Sequence, residues 1–299
     1  VDCSDHEVNI KIALNQLVRD GELTEKHRNQ LLKDMTDEVA ELVLTNNFRQ
    51  AQMLSLACRQ VGDLGAEFQR FIALMEATEG LDRSLEGLPG DEQLLERASR
   101  GESLTRPELA VLMAFAKTHV KNALNRTDIA ADPAIGAEIF EPFPALLEER
   151  YPEAIRRHRL AREIVSTQLA NDVVHHMGIT FVTHLSEFVG ASVEETLRAY
   201  LAAAACFRLR DRFRHVEGMT EVDAGTRLEA LGELIRLGRR ATRWLLRHER
   251  TNLDVTVLTE RFQAAIDDLR GEKEALFSAA LETRRQARLA QLRDNGVPE

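Results

Sequence analysis

Four arginines, Arg236, Arg240, Arg243 and Arg247, stand at 4-3-4 spacing, which places them on one face of a helix. Arg239 and Arg250 flank them. Guanidinium forks match carboxylates and phosphates, so this face reads either as a solvated or salt-bridged surface or as a contact for an anionic effector or another subunit. Trp244, beside them, is expected to pack into the core. A second cluster is His175-His176 with His184 further on. Adjacent histidines point to different helix faces and no carboxylate closes a ligand set, so a structural or surface role is expected and no metal. His6-Glu7 opens like a zinc-protease motif, but the second histidine would fall at Ile10 and the motif fails. Asn171-Asp172 interrupts an otherwise apolar helix, and buried polar groups of this kind need hydrogen-bond partners, here at a helix junction. The chain has no GxGxxG, no Walker loop and no GxSxG.

The elements that must position these residues all read as helices. Asp5 can cap a first helix over about 6–19, stopped by Asp20-Gly21. Leu23-Thr24 opens a short second helix, and Thr36-Asp37-Glu38 starts a long third one with Val39, Leu42, Val43, Met53, Leu54 and Ala57 on its apolar face. A fourth spans Leu64 to Glu79, and Gly80 to Gly90 is a connector. Thr105-Arg106-Pro107-Glu108 is a capping box with proline in the first turn, followed by a stripe of Leu109, Leu112, Met113, Ala116 and Val120. Pro133, Pro142, Pro144 and Pro152 cut the next region into short pieces, and a long helix, with room for a bend, is predicted from near Glu153 to Met177. Ile179 to Val189 follows; Ser192-Val193-Glu194-Glu195 is a second capping box, for a helix to about Phe207. Residues 221–250 and 255–293 are predicted as two long helices in an antiparallel hairpin.

Composition bounds the class without naming a function. At 299 residues, 44% hydrophobic and 29% charged, the chain can bury a large core, and its 5% aromatic content favours helix over sheet. A net charge of −10 disfavours nucleic acid and anionic membranes, and no apolar run is long enough to span a bilayer. Cys3, Cys58 and Cys206 lie far apart without CxxC spacing, which suits reduced thiols and a cytoplasmic protein. The expected fold is all-α, a multi-helix array. Its predicted divisions are 1–22, 23–90 and a larger bundle over 91–299.

Longer stretches carry a resemblance. VDCSDHEVNIKIALN, MTDEVAELVLTNNFRQAQMLSL, LTRPELAVLMAFAK, EIVSTQLANDVV and RRATRWLL, in this order from residue 1 to about 247, resemble the C-terminal region of large bacterial NAD-dependent glutamate dehydrogenases. The resemblance implies a parent enzyme that oxidises L-glutamate with NAD to 2-oxoglutarate and ammonia, cytoplasmic and homo-oligomeric. It implies that residues 1–22 end the catalytic domain, that Val1 lines the substrate pocket, and that Ser4 binds the substrate's side-chain carboxylate, although Ser4 is also placed to cap a helix. The proton-transfer residues of such enzymes would lie upstream of Val1, and the chain's start without Met reads as a segment of something longer. The segment alone is then expected to bind no NAD, to be inactive, and to brace or regulate the rest of its own parent chain. Its first helix is expected to be poorly anchored and removable. The alternative reading is a stand-alone helical protein-interaction module without catalysis.

Overall fold

The computed structural model describes residues 3–272 and 277–297, with side chains from His6 onward. Helix makes up 77% of the structure, and no strand occurs among the described residues, so the protein is all-α as its composition predicts. The chain divides into two compact units, Val1–Thr180 and Phe181–Glu299. The predicted divisions at 22/23 and 90/91 both fall inside the first unit, because helices on either side of them pack together.

The first unit begins with α1 (Cys3–Arg19), α2 (Glu25–Asp34), α3 (Thr36–Gln60) and α4 (Gly65–Glu79). Gly80, at φ 69, ends α4 in the left-handed conformation that glycine adopts without a Cβ clash. Next come α5 (Asp91–Ser99) and α6 (Arg106–Leu124), with α4 packed on α6 across the glycine-rich connector. The capping box of α6 forms as read: the Thr105 backbone N–H donates to Glu108 at 2.6 Å. Arg97 forks onto the same carboxylate, 2.9 Å to each oxygen, and so ties α5 to the start of α6. The proline-rich stretch gives α7 (Pro133–Gly136), α8 (Ala145–Arg150) and α9 (Pro152–Arg156), with 3-10 turns around α7.

The long helix predicted from Glu153 is broken. α9 ends at Arg156 and α10 (Ala161–Met177) starts afresh, with buried His158 in the joint. The joint is fixed from both sides of the imidazole: the Leu160 backbone N–H donates to Nδ1 at 3.1 Å, and Nε2 donates to the Asn9 carbonyl of α1 at 3.2 Å. α10 then runs through the middle of the unit, buried on nearly all sides, and packs against both α3 and α6.

α1 is a core element, contrary to the expectation of a loose first helix. Ile10, Ala13, Leu14 and Leu17 are buried, and the helix packs on α2, α3 and α9. Burying each large aliphatic side chain there contributes about 1.5–3 kcal/mol. The expected face of α3 is buried fully only at its far end, at Met53 and Ala57; Val39, Leu42, Val43 and Leu54 are half-buried.

The second unit contains α11 (Phe181–Val189), α12 (Val193–Cys206), α13 (Leu209–Glu217), α14 (Ala224–His248), α15 (Val255–Gly271) and α16 (Ala279–Asp294). α12 is its axis, rich in alanine and almost wholly buried, which lets α14 and α15 approach it closely from two sides. α14 and α15 pack mainly on α12 rather than on each other, so the expected antiparallel hairpin is replaced by two helices on a common support. Among the described residues the predicted helix over 255–293 is two helices, and residues 273–276 of that prediction lie outside them. The second capping box also forms, with Ser192 N–H to Glu195 at 2.7 Å and Glu195 N–H to Ser192 Oγ at 3.0 Å.

The burial of α1 gives a stability prediction. Leu14→Ala, at a fully buried site, should lower unfolding free energy by about 2–5 kcal/mol. Val8→Ala, on the exposed face of the same helix, should change it by less than about 0.5 kcal/mol. Urea unfolding followed by circular dichroism measures both, and equal small effects would mean that α1 is peripheral.

Candidate functional site

The first turn of α1 contains Ser4 in its helical backbone; the Ser4 side chain and Val1 lie outside what the structure describes. The next turn is held firmly. His6 is buried, its Nδ1 donates to the Pro142 carbonyl at 2.8 Å, and Asn46 Nδ2 lies 3.4 Å from its Nε2. His6, which fails as a metal ligand, is thus the clamp that seats the start of α1 against α3 and the proline-rich stretch.

One turn beyond Asn46 on α3 is Arg49, whose charge acts on His175 where α3, α6 and α10 pack together. His175 of α10 is buried, and its Nε2 has no hydrogen-bond partner. Burial pushes its pKa well below the ordinary imidazole value, and the charges of Lys117 on α6, His176 and Arg49 push the same way; only Asp172 opposes them. Asp172, half-buried on α10, accepts from His176 Nδ1 at 2.9 Å, an i,i+4 pair within the helix. The Asn171-Asp172 interruption and the two histidines are therefore parts of one polar patch on a buried helix. Sequence reading missed Arg49 and Lys117, whose own helices gave no hint of a shared junction.

The arginine face lies on α14. Arg236, Arg240, Arg243 and Arg247 are all exposed, as the spacing predicts for one face. Arg236 pairs with Glu233 one turn back. Arg243 and Arg247 both lie over the half-exposed ring of Phe188, at 4.1 and 5.3 Å from its centroid. Trp244 is not in the core: it is 45% exposed, stacks on His248 at 4.7 Å and meets Phe262 edge-on at 5.6 Å. Its position follows from α14, whose buried stripe runs through Ile235, Gly238, Thr242, Leu245 and Leu246 and leaves Trp244 at the margin. Arg250 has a different task. It forks onto Glu195 at 2.9 and 3.1 Å and donates to the Gly190 carbonyl at 2.6 Å, clamping the start of α12 and holding the Glu195 carboxyl below its usual pKa.

Among the described residues, no group of three or more His, Cys, Asp and Glu side chains could hold a metal ion. His175 and His176 sit in α10, while His184 stacks on Phe188 in α11. Cys58 is exposed and free; Cys206 is free and buried, with its thiol pKa raised by burial. No described helix is long and apolar enough to cross a membrane. No strand occurs among the described residues, so the strand–turn–helix cradle of a dinucleotide-binding fold is not seen there.

The family described as "Glutamate dehydrogenase, C-terminal" matches residues 101–299, and "Bacterial NAD-glutamate dehydrogenase, catalytic domain" matches residues 1–57, well past the predicted end of that domain at 22. The chain belongs to the bacterial NAD-dependent glutamate dehydrogenase family, as its C-terminal part. NAD-specific glutamate dehydrogenase from Pseudomonas aeruginosa is 47% identical over 300 residues, and those from Halomonas elongata and Mycobacterium tuberculosis are 42% and 35% identical over 308 residues. Each match covers 100% of this chain and 18% of the relative's length.

The His175 environment sets a pH dependence. Its folded pKa is lowered, so the stability of the neutral ring is fully present above about pH 6.5 and is lost as pH falls from there toward the folded value. The charges facing it are Lys117 on α6, Arg49 on α3, and Asp172 and His176 on α10. Unfolding free energy should fall between pH 7.5 and 5, and His175→Gln should flatten that fall. An unchanged slope in the variant would assign the acid sensitivity elsewhere.

Proposed function

We propose that this chain is the C-terminal helical part of an enzyme that converts L-glutamate, NAD and water to 2-oxoglutarate, ammonia and NADH in the cytoplasm. It does not turn over glutamate by itself; its role is to support and regulate the rest of its parent chain. The observation that carries this reading is the match over the whole chain to NAD-specific glutamate dehydrogenases of which it spans only 18%. The division of labour is supported by chemistry: the described residues provide no dinucleotide cradle, yet they hold the start of α1 rigidly through His6. In the parent, Val1 lines the substrate pocket and the Ser4 hydroxyl donates to the substrate's side-chain carboxylate. NAD binds elsewhere in the parent.

The parent is a homo-oligomer, and the exposed Arg240–Arg243–Arg247 face is the surface this chain offers to a neighbouring subunit or to an anionic effector. Two half-exposed aromatic rings beside those arginines, Phe188 and Trp244, support a contact role over a purely solvated one. Nucleic acid and membrane are not its partners.

Steady-state glutamate-dependent NAD reduction tests the main reading in three samples: the intact parent, the parent lacking everything after α1, and this segment alone. Activity in the intact parent only is the expected result; turnover by the segment alone would refute its supporting role. For the second claim, the double variant Arg240→Glu/Arg243→Glu in the parent should lower the mass measured by light scattering or abolish an effector response. Unaltered assembly and regulation would remove the arginine face from both.

A further inference from the structure

A second arginine cluster, apart from the face on α14, lies within the second unit where the end of α12, the start of α13 and the end of α15 meet. Arg208 donates to Asp267 at 2.7 Å, and Arg270 donates to the other oxygen of the same carboxylate at 2.9 Å. Arg270 also reaches the Phe207 carbonyl at 3.2 Å, and Arg212 Nε reaches that carbonyl at 2.9 Å. Three guanidinium groups are thereby gathered around one carboxylate and one carbonyl. The carbonyl ends α12, and a cationic side chain there is an ordinary helix cap. Three cations exceed that need: Asp267 neutralises one, and two positive charges stay uncompensated among the described residues. Burial lowers the Arg212 pKa, and the charges of Arg270 and Arg208 push the same way; only Asp267 opposes them. The backbone marks the same place. Among the described residues Arg208 alone, at φ 50, has a positive φ without being glycine, a conformation that strains a side chain bearing Cβ.

We infer that Arg208, Arg212 and Arg270 form a binding site for a phosphate group, with Asp267 as the internal counter-ion that gathers them. Near neutral pH a phosphate group carries about 1.5–2 negative charges and three acceptor oxygens, which matches the uncompensated positive charge; a carboxylate carries about half as much. Guanidinium forks bind such oxygens in pairs. Donors remain for it: Arg208 engages Asp267 through one nitrogen, and Arg212 engages the Phe207 carbonyl through Nε. Both arginines are exposed, so a ligand reaches them from solvent. The ligand is inorganic phosphate or the phosphate of a small ester, since both present the same oxygens. The site gives the helices of the second unit a ligand of their own, beyond support of the parent chain.

Isothermal titration calorimetry of the full-length parent measures binding of inorganic phosphate and of ribose 5-phosphate. The parent is first saturated with NAD, so that the cofactor's own phosphate positions are filled. That first titration checks the dehydrogenase reading independently of the phosphate result. Arg212→Gln should weaken phosphate about tenfold, the loss of one charge-assisted contact. Arg208→Gly, which adopts the left-handed backbone without strain, should do likewise. Asp267→Asn separates a binding site from a purely structural cluster: removing the counter-charge should tighten phosphate by about tenfold, whereas arginines that only join helices gain no ligand from it. Equal affinity for the two ligands supports the site with phosphate itself as the ligand, and tighter ribose 5-phosphate supports it with an ester. A wild-type parent that binds neither, or variants that bind as the wild type does, overturns the site. Should Arg208→Gly fail to fold, Arg212→Gln and Asp267→Asn decide, because opposite effects on affinity do not arise from a shared loss of structure.

Discussion

The burial of α10 on nearly every side is the constraint from which the first unit is built. A helix with an apolar stripe needs one partner; one enclosed all round needs several, and α3 and α6 provide them. Enclosure also raises the stakes for every polar side chain on the helix. Asp172 and His176 meet this by pairing within α10, which takes a carboxylate and an imidazole out of water together. His175 does not meet it at Nε2, and a buried unsatisfied nitrogen costs about 1–3 kcal/mol. Such a defect in an otherwise closely packed junction is informative because a leucine there would be cheaper.

The same logic explains why α1 is an integral part of the fold. Three of its tethers run from the helix to distant parts of the chain through histidines: His6 to Pro142 and Asn46, and His158 back to Asn9. The His158 bond uses a carbonyl of the helix itself, so the break between α9 and α10 and the seating of α1 are one arrangement. Burial lowers the His158 pKa, keeping the ring in the neutral form that can both donate to Asn9 and accept from Leu160.

What was legible in the sequence was local chemistry. Both capping boxes, at Thr105–Glu108 and Ser192–Glu195, form with the bonds their spacing predicts, since a cap involves only neighbours along the chain. The α6 stripe is buried from Leu109 to Val120 for the same reason. What failed depended on distant partners. The stop at Arg156 comes from a histidine that bonds α1, and no periodicity within 153–177 encodes it. The short helices α5 and α13 escaped notice because neither carries a long stripe. Trp244 was misplaced because large aromatic area suggested the core, whereas α14 fills its buried stripe with smaller residues. At the candidate site, His175 was visible as an anomaly, but Arg49 and Lys117 gained significance only when three helices brought them together.

Charge is divided unevenly between the two units. Residues 1–180 hold 20 Lys and Arg against 30 Asp and Glu, while residues 181–299 hold 19 of each, so the whole net charge of −10 belongs to the first unit. An acidic unit does not by default surround a buried imidazole with cations. Yet Lys117 and Arg49 both act on His175, and the opposing carboxylate, Asp172, has one oxygen engaged by His176.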